Sequence, residues 1–426
     1  MTVYPTYKDS GIEWLGQIPT HWDLLRNKIF ITEHDNVVGQ DAYKYTLLSL
    51  TKQGVIQRDI ESGKGKFPKE FDNYKIVESG NIIFCLFDVD ETPRTVGLSS
   101  IDGMITGAYN VFSIKGINSQ FYYYYFLAVD EAKALRPLYS GLRKVVKTER
   151  FAGLHIPVPP EEEQRQIVAY LDYKSNKINE RICQIEKELQ TLSELKQAEI
   201  AAVVTRGLDP NVPMKESGIE WLGKIPAHWE LLRNKIFITE RDNVVGQDAY
   251  KYTLLSLTKQ GVIQRDIESG KGKFPKEFDN YKIVESGNII FCLFDVDETP
   301  RTVGLSSIDG MITGAYNVFS IKGINSQFYY YYFLAVDEAK ALRPLYSGLR
   351  KVVKTERFAG LRIPVPPEEE QDAIVSYLQS RITFIDNYIT KLKEEINYLQ
   401  EYKQRLISDV VTGKVDVRGV EIPNEE

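Results

Sequence analysis

Between Lys133 and Arg150 the chain gathers Lys133, Arg136, Arg143, Lys144, Lys147 and Arg150 against a single carboxylate, Glu149. Cations at this density suit phosphate oxygens, and Arg and Lys donors also suit the guanine edge in a major groove. Arg143, Lys144, Lys147 and Arg150 are therefore candidate nucleic-acid contacts, and Ser140 beside Gly141 offers a close backbone approach to phosphate. The segment recurs with Ser347, Arg350, Lys351, Lys354 and Arg357. The competing reading is an ordinary solvated face.

Three further places carry recognition chemistry. Gly63–Lys66 reads GKGK, so Lys64 and Lys66, repeated as Lys271 and Lys273, form a basic loop able to cradle phosphate. It lacks the spacing of a P-loop or a dinucleotide fingerprint, and a plain surface loop is the alternative. Lys52 and Gln53, repeated as Lys259 and Gln260, follow a predicted strand, and a Gln amide matches the adenine edge. Tyr109 and Asn110, repeated as Tyr316 and Asn317, follow a turn; Asn matches adenine too, against a purely structural turn. The run FYYYYF at Phe121–Phe126 covers every face of a helix, so core packing is expected ahead of base stacking.

Catalytic signals are weaker. FDVDET places Asp88, Asp90 and Glu91 together, and Asp88 and Asp90 would share one face of a strand, as a metal-dependent nuclease requires. No clear catalytic Lys follows at nuclease spacing, and Asp-rich turns are common. Four histidines offer no metal site: His34 and His155 become Arg241 and Arg362 in the other copy, and surface positions are expected. Cys85, Cys183 and Cys292 give neither metal spacing nor a disulfide framework, since Cys85 and Cys292 are copies of one position. An adenine-amino methyltransferase needs an Asn/Asp-Pro-Pro-Tyr/Phe segment and a glycine-rich turn for S-adenosylmethionine. The Pro pairs here sit in VPPEEE instead. No catalysis and no metal is expected of this chain.

The elements that must position these residues come in duplicate. Ser10–Gln164 recurs at Ser217–Gln371 with an offset of 207 residues and five differences: Gln17→Lys224, Thr20→Ala227, Asp23→Glu230, His34→Arg241 and His155→Arg362. After Gln164 identity collapses, yet both copies continue as long helical sequences rich in Glu, Lys, Gln and Leu. Leu171, Ile178, Ile182, Ile185, Leu189 and Leu192 form an apolar seam whose steps alternate between three and four after an opening step of seven. Leu378, Ile385, Ile389, Leu392, Ile396 and Leu399 repeat those offsets. That is a coiled-coil seam, and a lone helix cannot bury it, so the simplest partner is the other helix of the chain.

The expected domains are 1–160, a helix over 161–207, a second domain over 208–367, and a second helix with a tail over 368–426. Within a domain the pattern predicts a short helix around Leu24–Thr32, strands in TLLSLTKQGVIQ and NIIFCLFDV, and a turn and strand in SSIDGMITGAYNVFSI. A helix over SQFYYYYFLAVDEAKALRPLY should end near Pro137, and IPVPPEEEQ reads as a strand running into the long helix. The fold class is mixed α/β.

Composition agrees. With 43% hydrophobic and 26% charged residues the chain reads as an ordinary soluble globular protein. No apolar run approaches the roughly 18–20 residues needed to span a bilayer, no secretory h-region opens the sequence, and a cytoplasmic location is expected. The net charge of −6 argues against nucleic acid only until clustering is considered, because the acid excess sits elsewhere, as in EEE at 161–163 and 368–370.

The opening S-G-x-x-W-L-G-x-I-P-x-H-W at Ser10–Trp22 and Ser217–Trp229 resembles the Type I restriction-modification specificity-subunit family. So does the junction I-P-x-P-P-x-x-E-Q at Ile156–Gln164 and Ile363–Gln371. The resemblance covers essentially the whole chain. It implies that each domain reads half of a split double-stranded DNA site. It implies two helices packed antiparallel, domains in a pseudo-two-fold relation, and docking of two adenine-N6 methyltransferase subunits. Two restriction translocase-nuclease subunits complete such assemblies. S-adenosylmethionine belongs to the methyltransferase partner, ATP and Mg to the restriction partner, and no cofactor to this chain. Family members commonly carry two different domains; near-identity here implies an interrupted palindrome with half-sites about one helical turn apart. A non-DNA coiled-coil scaffold displaying two ligand-binding modules is the competing reading.

Overall fold

The computed structural model describes residues 2–58, 71–89, 91–92, 94–141, 144–265, 278–299, 301–348 and 350–423, without the side chains of Ser140 and Ser347. Among these residues six α-helices follow in chain order: α1 (Ser119–Glu131), α2 (Thr148–Ala152), α3 (Glu161–Arg206), α4 (Ser326–Glu338), α5 (Thr355–Gly360) and α6 (Glu368–Val411). The chain forms two compact units: Met1–Ile185 with Glu394–Glu426, and Glu186–Lys393. Each unit thus holds one globular region, part of α3 and part of α6.

In unit 1 a four-stranded antiparallel sheet runs in the order Ile31–His34, Asn110–Ile114, Ile82–Phe84, Val96–Leu98. Ile82, Ile83 and Phe84 are all buried, because alternate side chains enter two cores on opposite faces. Ile82 and Phe84 join the main cluster, while Ile83 joins Leu48, Val77, Ile105 and Val111. α1 lies on the main face. The side chain of Asn118 caps it by accepting from the backbone of Gln120 and Phe121. Tyr122, Tyr124 and Tyr125 are buried and Tyr123 half-buried, so the tyrosine run is core. Burial pushes the hydroxyls of Tyr122 and Tyr125 far above the usual range.

Two local expectations are corrected. The stretch around Leu24–Thr32 is not a helix but a strand (Asp23–Arg26), a 3-10 turn (Asn27–Ile29) and a second strand (Ile31–His34). Tertiary partners override the helical preference. Asp23–Arg26 pairs with His155–Val158, and the fully buried Asn27 donates from Nδ2 to the Phe151 carbonyl and accepts from the Tyr122 hydroxyl. α1 stops at Glu131, ahead of Pro137: Lys133 takes a left-handed φ of +48°, and Arg136–Leu138 forms a separate 3-10 turn.

The two motif segments meet at one junction. Glu163, in the first turn of α3, accepts from Tyr4 Oη at 2.6 Å and Trp22 Nε1 at 2.9 Å, and pairs with His21 Nε2 at 2.7 Å. Gln164 Oε1 accepts from the backbone of Asn118, and its Nε2 donates to the Pro159 carbonyl, each at 2.8 Å. The Glu and Gln of the junction motif thus fasten the helix to the domain, with His21 and Trp22 of the opening motif as partners. Unit 2 repeats this through Glu370 with His228 and Trp229, and through Gln371 with Asn325. His21 and His228 stand at the surface, as expected, and from there pair with these two carboxylates.

Unit 2 repeats the sheet as Ile238–Glu240, Asn317–Ile321, Ile289–Phe291, Val303–Leu305. Its core takes in Ile200, Val203 and Val204 from the end of α3 and Ile374, Val375 and Leu378 from the start of α6. The core of unit 1 takes in Ile167, Tyr170 and Leu171, and then Leu406, Ile407, Val410 and Val411 from the end of α6.

Within each unit the helices bond with opposite running sense. In unit 2 Arg381 Nε donates to Glu199 at 2.8 Å, Lys196 Nζ to Asp386 at 2.7 Å, and Tyr388 Oη to Glu188 at 2.6 Å. In unit 1 Lys403 Nζ donates to Asn179 and Arg181 Nε to Glu395, both at 2.9 Å. The Arg381 guanidinium is the main cause holding the Glu199 carboxyl below its usual range. At the seam Leu171, Ile178, Ile185, Leu378, Ile385 and Leu392 are buried, and Ile182, Leu189, Leu192, Ile389, Ile396 and Leu399 half-buried. Among the described residues no helix is long and apolar enough to cross a membrane.

Candidate nucleic-acid interface

The strand signals at TLLSLTKQGVIQ fold as a hairpin, Leu48–Thr51 against Gly54–Gln57. Gly54 takes a φ of +111°, which a glycine accommodates at least cost. Thr51 Oγ1 donates to the Gly54 carbonyl at 3.1 Å and accepts from the Gln53 amide at 3.2 Å. The tip leaves Lys52 and Gln53 exposed, as the copy leaves Lys259 and Gln260. Two contacts hold the hairpin in place. Arg94 Nη2 donates to the Lys52 carbonyl at 3.0 Å. Gly97 lies so close that an added Cβ would stand 2.5 Å from Leu50 Cδ1 and 2.7 Å from Val55 Cγ2.

The FDVDET segment leaves the sheet as a turn. Asp88 has a φ of +47°, and its carbonyl accepts from the backbone of Glu91 and Thr92. The shared strand face expected for Asp88 and Asp90 is thus corrected: Asp88 turns the chain, and Asp90 lies outside the described residues. Among the described residues no group of three His, Cys, Asp or Glu side chains is placed to hold a metal ion.

Against this turn packs the basic segment. The Val146 amide donates to the Leu86 carbonyl, and Lys144, with a φ of +46°, reaches Glu91 at 3.3 Å. In unit 2 Lys351 bonds Glu298 at 3.1 Å and approaches Asp297 at 3.4 Å, while Arg343 Nε bonds Asp297 at 2.8 Å. The hydrogen bond it donates to Glu298 is the main cause raising the Lys351 ammonium above its usual range. Burial acts to raise the Asp297 carboxyl, but bonds from Arg343, Tyr346 and Lys351 outweigh it and hold the group low. Surface pairs of this kind are weak, little enough for a polyanion to displace.

The other expected contacts separate into free and committed groups. Lys147, Arg150, Arg350, Lys354 and Arg357 are exposed. Arg150 Nη1 donates to the Leu138 carbonyl and Arg357 Nη1 to that of Leu345, each at 3.1 Å, which sets their direction. Asn110 Nδ2 is committed to Glu33 at 2.6 Å and Asn317 Nδ2 to Glu240 at 2.7 Å. Tyr109 stacks on Phe87 and Tyr316 on Phe294. The backbones of Ser140 and Ser347 pair with Val145 and Val352. Arg143, Lys64, Lys66, Lys271 and Lys273 lie outside the described residues.

Sequence reasoning passed over Arg94 and its copy Arg301, which donates to the Lys259 carbonyl at 3.2 Å. A solitary Arg carries no signal until the fold brings it to the hairpin tip. In each unit an Arg side chain ties the hairpin tip to the segment that follows the acidic turn, and a main-chain bond ties the basic segment to the strand end before that turn.

Comparison with known proteins places this arrangement. The model of the Type I restriction modification DNA specificity domain matches residues 39–191 and again 234–398. The MjaVIII specificity subunit of a Type I restriction enzyme from Methanocaldococcus jannaschii is 26% identical over 63% of this chain and 64% of its own length. The putative MjaX specificity subunit from the same organism is 21% identical over 95% of this chain and 96% of its own. A structure solved in a study of complex assembly and conformational transition of the type I R-M system shares the fold. Its TM-score is 0.65 at 14% identity, covering 93% of this chain and 99% of that one. With both copies matched by the domain model, the chain belongs to the Type I restriction-modification DNA specificity family.

Proposed function

We propose that the chain is the non-catalytic subunit that reads a bipartite double-stranded DNA site for a Type I restriction-modification complex. The observation that carries this is duplication: in both units Lys52 and Gln53, and Lys259 and Gln260, stand exposed at hairpin tips, and Lys147 and Arg150, and Lys354 and Arg357, stand exposed in basic segments. Gln and Lys at the tip supply base-edge donors, and Lys147, Arg150 and their copies supply phosphate contacts. Because the loops are nearly identical, both half-sites carry the same sequence in inverted orientation. α3 and α6 pack as an antiparallel coiled coil that relates the domains by a pseudo-two-fold axis and sets the spacer. The same helices dock two adenine-N6 methyltransferase subunits, which supply S-adenosylmethionine chemistry, and two restriction subunits complete the assembly with ATP and Mg.

The test is a methylome. The chain is expressed with the methyltransferase encoded beside its gene, and N6-methyladenine is mapped by long-read sequencing. Methylation at one interrupted palindrome is expected. No methylation, from a methyltransferase active with another specificity chain, overturns the proposal in favour of the non-DNA scaffold.

A further inference from the structure

In unit 2 the opening motif, the end of α4, the turn after it and α5 surround an apolar cavity of about 370 Å³. Ile219, Trp221, Val336, Ala341, Leu342 and Leu345 form much of its wall. The half-buried Trp221 ring lies against the buried Tyr332, with centroids 5.9 Å apart. Unit 1 repeats the cavity at about 480 Å³, with Trp14 against Tyr125.

The mouth is cationic. Arg357 and Arg362 line the cavity of unit 2 and are both exposed. The bond from Arg357 Nη1 to the Leu345 carbonyl keeps that guanidinium at the rim. Arg362 stands directly opposite Arg233 in the antiparallel pair, so the two side chains share a face and repel. Among the described residues no carboxylate pairs with any of these three arginines. In unit 1 the place of Arg362 is taken by His155, opposite Arg26. Of the five differences between the copies, this is the one that falls in the cavity wall.

An apolar chamber beside uncompensated guanidinium groups suits a molecule with both characters, and its volume is that of a small-molecule site. A neutral hydrocarbon would leave Arg233 and Arg362 repelling each other. A bare inorganic ion would leave the aromatic wall without a partner.

We propose that this cavity binds a small amphiphilic anion, an aromatic carboxylate, with its apolar body against Trp221 and its carboxylate on Arg357 and Arg362. The cavity of unit 1 takes the same ligand more weakly, on Arg150 without a second arginine in its wall. Arg150 and Arg357 also belong to the basic segments, so the ligand competes there with DNA phosphate. That consequence rests on the DNA-reading function proposed above; the binding itself does not.

The experiment is calorimetric titration of the full chain with 2-naphthoate, its uncharged counterpart 2-naphthamide, and inorganic phosphate. Two naphthoate sites are expected, with the amide and phosphate each bound at least about tenfold more weakly. Arg362→His, which installs the residue of unit 1, should weaken the tighter site about tenfold, and His155→Arg should tighten the weaker one as much. Ala341→Phe fills the chamber and should remove the tighter site. No uptake of naphthoate by the wild type would overturn the proposal, and so would naphthoate binding that Arg362→His leaves unchanged. Equal affinity for the amide would overturn the role of the arginines, and equal affinity for phosphate that of the chamber. Both sites retained in Ala341→Phe, at a wild-type melting midpoint, would mark partition onto the surface and overturn it too. Saturating naphthoate should weaken binding of a labelled duplex carrying the methylated site about tenfold; unchanged duplex affinity with both sites filled would overturn the competition. Wild-type chain that binds naphthoate but no duplex would sink the DNA-reading function and leave the ligand site standing.

Discussion

Glu163 accepts a hydrogen bond from the indole of Trp22 at 2.9 Å, across 141 residues of chain, and is itself buried. That bond, with those from Tyr4 and His21, makes the first turn of α3 part of the domain rather than an appendage. Glu163→Gln keeps the shape but leaves three donors with one neutral acceptor, and should lower the stability of unit 1 by about 2–3 kcal/mol. Glu370→Gln should cost less, because the Glu370 side chain is 26% exposed against 5% for Glu163. Urea melts of the two variants check the order; equal losses would refute it.

Gly97→Ala should displace the hairpin. The new methyl meets Leu50 and Val55 at 2.5 and 2.7 Å, an overpacking worth about 1–3 kcal/mol. Gly304→Ala meets Leu257 and Val262 at the same distances. Loss of methylation in vivo, with most of the folded protein retained, is the expected outcome for either one.

Gln53→Ala should relax one half-site, and Gln260→Ala the other, by about 1–3 kcal/mol of base discrimination each. Methylome mapping then shows an asymmetric motif for each single variant and a symmetric, looser one for the pair. Unchanged motifs in all three would exclude the hairpin tip from base reading.

The basic segment is tested by Arg143→Ala combined with Arg350→Ala, which should abolish site-specific binding while the protein stays folded. Unchanged affinity of that double variant for the mapped duplex would remove the segment from the interface.

Lys403 should lower stability at neutral pH. Its ammonium is held below the ordinary value in the folded chain, so between that depressed value and the unfolded one the native state carries fewer protons. Stability therefore rises with pH through that window, and the penalty is fully present at neutral pH. Lys403→Met should raise unfolding free energy at neutral pH by up to about 1 kcal/mol after solvent screening, and should flatten the alkaline rise. Melts at neutral and alkaline pH decide.

Periodicity and repetition made much of the fold readable. The apolar spacing from Leu171 to Leu192, the strand signal leading to Lys52 and Gln53, and the strand before Pro159 all lie in local spacing; that the second of these doubles back as a hairpin is not read from it. Local spacing misled at Leu24–Thr32, where Asn27 takes its partners from Tyr122 and Phe151, about a hundred residues away. Arg94 was invisible for the same reason, since only the fold brings it to the hairpin tip. Asn110 looked like a base reader because its amide suits adenine, but Glu33 on the neighbouring strand already occupies it.

The core of unit 1 includes Leu406, Ile407, Val410 and Val411, whereas unit 2 draws all its residues from 186–393. Synthesis runs from the N-terminus at about 5–20 residues per second. The domain encoded second can therefore close its core first, while the domain encoded first waits on the ribosome, its aromatic face open, for a helix made last.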